Sequence, residues 1–131
     1  MDDAEIARIL RESKTIAVVG CSSNYEKAAH KIPKYMQEHG FKILPVNPNA
    51  KEILGEKVYG KLSDIKERVD IVDVFRPGDE CVEVVKEALV IMPKVVWMQQ
   101  GVINEDAKRL AEHNGINVVM DKCIMVEHRK L

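Results

Sequence analysis

Five short runs of β-branched and apolar residues punctuate the chain: Thr15–Val19, Lys42–Val46, Asp70–Phe75, Lys94–Met98 and Ile116–Met120. Each is nearly continuous rather than alternating, as expected of parallel strands covered on both faces. Helical patterns fill the intervals. Asp2–Arg11 reads as a short surface helix with Ile6, Ile9 and Leu10 turned inward. Tyr25–His39 follows the cap types Ser22, Ser23 and Asn24 and stops at Gly40, with Pro33 predicting a kink or a break. Asp79–Val90 repeats Val82, Val85, Ala88 and Leu89. Asn104–Asn114 repeats Ala107, Leu110 and Ala111, between an Asn104 cap and a Gly115 stop. The link from Asn47 to Val69 is less regular, with a short strand near Lys57–Tyr59 and a turn or short helix at Ser63–Arg68.

This alternation predicts a Rossmann-type, doubly wound α/β fold. The sheet should be mostly parallel, with five or six strands and helices on both faces. No linker, repeat or low-complexity stretch interrupts it, so residues 1–131 read as one domain, 1–13 forming the N-terminal surface helix. In such sheets ligands bind beyond the carboxyl ends of the strands, which fixes where to look for chemistry.

Composition narrows the ligand. The formal net charge of −1 predicts no broad attraction to nucleic acid or acidic membranes, so any anion must be held locally. Three scattered cysteines without a CxxC fit neither a disulfide framework nor zinc. Reduced thiols in a cytoplasmic protein are the simpler reading. The acidic start MDDAEIARILRESK is no signal peptide, and no apolar run spans a bilayer. The His, Cys, Asp and Glu residues show no metal-ligand spacing, and no catalytic constellation can be assembled.

At the first strand end, IAVVGCSSN, Gly20 allows close approach of backbone to a phosphate, and Ser22 with the following amides completes an anion site. A tight βα turn with a Ser or Asn cap reads equally well, since the dinucleotide fingerprint needs three glycines. Cys21, at a helix start where a thiol pKa can fall, is either reactive or a small turn filler. The second end, ILPVNPNAKEILG, offers Asn47 and Lys51 where NAD-binding domains place an acid; Lys51 suits a ribose phosphate or is simply solvated. The third end brings Phe75, Arg76 and Pro77. Gln100 and Gly101 follow the fourth, on the expected ligand rim.

The blocks TIAVVGCSSN, ILPVNPNAKEILG, VDIVDVFRPGDE, KVVWMQQGVIN and VVMDKCIMVEH, in this order, resemble the small stand-alone CoA-binding proteins. The chain is similar, from about Ile6 to Leu131, to the CoA-binding domain of the succinyl-CoA synthetase α subunit. The resemblance implies that coenzyme A or an acyl-CoA is the ligand. It implies a site built from the first three strand ends: Gly20, Ser22 and the loop around them, Asn47, Pro48 and Lys51, and Phe75, Arg76 and Pro77. Cys21, Ser23, Lys27, Gln100 and Gly101 complete the candidate binding residues. The synthetase's phosphorylated histidine and second subunit have no counterpart. A non-catalytic binding, carrier or sensing module is therefore expected, with a partner enzyme or a homo-oligomer as possible company. The alternatives are an NAD(P)-type oxidoreductase, or an acyl-CoA enzyme component working with a partner. Gly20→Val is expected to abolish binding and spare the fold. An activated Cys21 would form mixed disulfides with oxidised CoA.

Overall fold

The computed structural model describes all 131 residues. In chain order they form α1 (Asp3–Glu12), β1 (Thr15–Val19), α2 (Ala28–Glu38), β2 (Lys42–Val46), β3 (Glu52–Ile53), β4 (Glu56–Lys57), β5 (Ile71–Val74), α3 (Cys81–Ile91), β6 (Val95–Met98), α4 (Glu105–His113), β7 (Asn117–Val119) and α5 (Ile124–Arg129). The five predicted runs pair in the order β2-β1-β5-β6-β7, parallel throughout.

Successive strand residues face opposite layers, and both layers are covered. Ala17, Val72 and Val96 pack with Val85 and Ala88 of α3 and Ala107 and Ala111 of α4. Ile16, Val18, Ile71 and Trp97 pack with Ile6 and Leu10 of α1, Met36 of α2 and Ile124 of α5. This double burial is why the strands read as unbroken apolar runs. The fold is the predicted Rossmann-like α/β arrangement.

Four local details differ from expectation. Helix α2 starts at Ala28, because Asn24–Lys27 forms a turn. Pro33 then lies inside an unbroken helix. Its ring has no N–H to give to the Ala29 carbonyl, and the Ser22 amide takes that place at 3.0 Å. The predicted strand near Lys57–Tyr59 is instead the β3–β4 hairpin, turned by Leu54 and Gly55 at φ +56° and +74°. Tyr59 makes one parallel bridge to Val46. The turn or short helix expected about Ser63–Arg68 is a 3-10 turn over Leu62–Asp64. The last segment, given no element by periodicity, forms α5. That helix docks on α2, where the Tyr35 hydroxyl and His128 Nδ1 are 2.8 Å apart.

Candidate functional site

The strand order reverses at β1, with β2 on one side and β5 on the other. Over the carboxyl ends of these three strands lies a cavity of about 780 Å³. One wall is the turn after β1 and the start of α2, supplying Gly20, Cys21, Ser22, Lys27 and Ala29. The floor includes Val19, Val46 and Phe75. The other wall is Gly60–Leu62 together with α3, which presents Glu83, Val84 and Glu87.

Gly20 ends β1 at φ +84°. A Cβ there would stand 2.6 Å from the Phe75 carbonyl oxygen and 2.9 Å from Arg76 Cδ. The glycine is thus demanded first by the approach of the β5 end. Gly20→Val cannot spare the fold, which corrects the expectation above. Ser22 is similarly committed. Its amide holds Ala29, its carbonyl accepts from His30 Nδ1 at 2.7 Å, and its Oγ accepts from the Asn24 amide at 3.0 Å. What this shaping leaves free is the start of α2. The Ala28 and Ala29 amides have no partner in the chain, and Lys27 stands beside them as an uncapped N-cap. Unpaired amides at the positive end of a helix dipole, with an adjacent ammonium, form an anion cradle.

Asn47 braces that cradle from β2. Its Nδ2 donates to the Cys21 carbonyl at 2.9 Å, and its Oδ1 accepts from the Asn49 amide at 2.7 Å. Cys21 itself is fully enclosed. Burial, aided by the neighbouring Asp73 carboxylate, pushes its thiol up to about 12. Of the two readings of Cys21, the small turn filler fits this enclosure, and an activated thiol poised for a mixed disulfide does not. Asp73 lies wholly buried on β5, donated to by Gln99 Nε2 at 2.7 Å. Desolvation pushes its carboxyl up to about 8, against the opposing pull of that hydrogen bond.

The structure brings Gly20, Cys21, Ser22, Lys27, Asn47, Pro48, Phe75 and Arg76 to the cavity. It leaves Ser23, Lys51, Pro77, Gln100 and Gly101 outside its lining. Lys51 leads into the hairpin, where its carbonyl accepts from the Val58 amide at 3.0 Å. Its place is taken by Lys61. Tyr59 donates to the Pro45 carbonyl and accepts from the Asn47 amide, both at 2.9 Å, which carries Gly60 and Lys61 over the β2 end. No local motif announces this return; the one signal in the sequence is a lysine directly after Gly60. Arg76 is forked onto Glu80, with Nη2 2.7 Å from Oε1 and 3.0 Å from Oε2. Lys27 and Lys61 have no carboxylate partner.

The family model for the CoA binding domain matches residues 14–129. The chain belongs to this family. This CoA-binding domain is 43% identical over 125 residues to uncharacterized protein YneT of Bacillus subtilis, covering 95% of this chain and 93% of that one. The solved structure of ID.343 from Thermus thermophilus superposes with a TM-score of 0.95 at 40% identity, covering 99% and 98% of the two chains. A longer relative is the ADP-forming acetate–CoA ligase of Methanocaldococcus jannaschii, 25% identical over 119 residues. Those residues are 85% of this chain and 17% of the ligase, so the chain spans about a sixth of that relative's length.

Proposed function

We propose that this protein binds coenzyme A or an acyl-CoA in the cavity over β1, β2 and β5, as a cytoplasmic binding, carrier or sensing module without chemistry of its own. The observation that carries this reading is the anion cradle, where Lys27 and Ala29, whose amide is unpartnered, line the cavity beside the equally unpartnered Ala28 amide, with Lys61 over the β2 end. A pyrophosphate fits the cradle, and a ribose phosphate fits Lys61. Membership of the CoA-binding domain family supports the same ligand. The longer acetate–CoA ligase relative supports a role in acyl-CoA chemistry. No helix is long and apolar enough to cross a membrane.

The NAD alternative is disfavoured by one residue. Asn47 stands at the end of β2 and spends its side chain on Cys21 and Asn49, leaving no acid for ribose hydroxyls. Calorimetric titration with CoA, dephospho-CoA and NAD tests the reading. CoA should bind above dephospho-CoA, with NAD much weaker. Equal binding of CoA and NAD overturns it. Native mass spectrometry of the protein as purified would identify a retained acyl-CoA by its mass.

A further inference from the structure

Three cations line the cavity: Lys27, Lys61 and Arg76. The two ammonium groups are free of carboxylates, and the guanidinium is not. Glu80, which lines the same cavity, takes Arg76 through three contacts. Nη2 donates to Oε1 at 2.7 Å and to Oε2 at 3.0 Å, and Nε donates to Oε1 at 3.1 Å. A guanidinium grips a phosphate with the same fork. The stem of Arg76 lies against the turn after β1. Its Cδ fills the space left by the missing side chain of Gly20, 2.9 Å from where a Cβ would stand. The guanidinium is thereby kept at the join between that turn and the acidic wall of Asp79, Glu80 and Glu83. Both side chains remain open to water, 45% exposed for Arg76 and 44% for Glu80. An exposed pair of this kind is held by little, so a bound oxyanion can part it.

We infer that Glu80 is an internal competitor of the ligand: its carboxylate holds the Arg76 guanidinium until a ligand phosphate takes its place. The inference rests on the CoA reading above, because it needs a phosphate in the cavity. Carboxylate and phosphate each offer two oxygens to the fork, so one can replace the other there. Lys27 and the start of α2 receive an anion without such an exchange, and Arg76 receives one only with it. Glu80 thus sets the affinity of the cavity below what its three cations would give, and it returns to Arg76 when the ligand leaves.

Calorimetric titration of the full chain with CoA and with inorganic pyrophosphate tests it, in wild type, Glu80→Gln, Arg76→Gln, the double variant and Glu83→Gln. Glu80 makes no side-chain cap bond to α3, so its replacement leaves the helix start intact. Glu80→Gln frees the guanidinium and should tighten both ligands about two- to fivefold, the worth of an exposed ion pair. Arg76→Gln should weaken both. Glu83→Gln removes the same charge from the same wall without touching the fork, and should gain less than Glu80→Gln. In the Arg76→Gln background, Glu80→Gln should gain no more than Glu83→Gln does. Affinity that is unchanged or weaker in Glu80→Gln overturns the inference. So does a gain that Glu83→Gln matches, or one that survives in full without Arg76. Wild type that binds pyrophosphate and not CoA overturns the CoA reading, and Glu80 is then judged on pyrophosphate. Binding of neither overturns both.

Discussion

The carboxyl edge of the sheet is open over β1, β2 and β5 and sealed over β6 and β7. At the sealed end the polar groups are spent on one another. The Gly101 amide donates to Asp121 Oδ1 at 2.7 Å, and Trp97 Nε1 donates to the Lys122 carbonyl at 2.8 Å. The Ile124 amide, at the start of α5, donates to Gln99 Oε1 at 3.3 Å. At the open end, amides and ammonium groups stay unpaired. Position at a strand end thus makes a site possible, and unspent hydrogen-bonding capacity makes it one. Gly101 satisfies the first condition and not the second.

Breaking the open end at its hinge should have the largest effect. Gly20→Val sets a Cβ into the Phe75 carbonyl at a φ that β-branched residues avoid. A loss of about 3 kcal/mol or more in unfolding free energy is expected, read from urea denaturation. A variant within 1 kcal/mol of wild type would show that the β5 end yields easily.

Beneath the boundary of the two regions lies Asp73, whose effect should be next in size. Its carboxyl has a folded value of about 8, far above the unfolded value near 3.8. Between those values the native state holds a proton that the unfolded chain has released, so stability falls as pH rises from about 4 to about 8 and then levels. Asp73→Asn keeps an acceptor for Gln99 and removes that loss. It should be more stable than wild type by about 2 kcal/mol at pH 8, the gap closing towards pH 4. Denaturant midpoints at the two pH values read it; a gap independent of pH counts against a buried, protonated Asp73.

Smaller effects sharpen the contrast between lysines. Lys61→Ala should weaken CoA by about 1–2 kcal/mol, and Lys51→Ala by less than about 0.5, with added salt shrinking only the first. The reverse order would return the ribose phosphate to Lys51. Smallest of all, Gln100→Ala, on the sealed end, should leave CoA affinity within about twofold in the same titration.

How much of this was legible in the chain follows from the range of the forces involved. The five strands and their parallel pairing were readable because double burial writes itself as uninterrupted apolar runs. Gly20, Asn47, Phe75 and Arg76 were reachable because they follow strands directly. Lys61 was not, because its position depends on Tyr59 pairing with β2, a contact with no local signature. Helix α5 has six residues, too few for a period to show.

The proline in α2 has a consequence for kinetics. Because Pro33 frees the Ala29 carbonyl, Ser22 is stapled to the helix before any ligand arrives. On the proposed reading, the turn that would receive an anion is already held in shape, so little ordering entropy would oppose complex formation. Association with such a preformed cradle should then be governed by diffusion and steering toward Lys27 and Lys61, rather than by the slow closing of a loop.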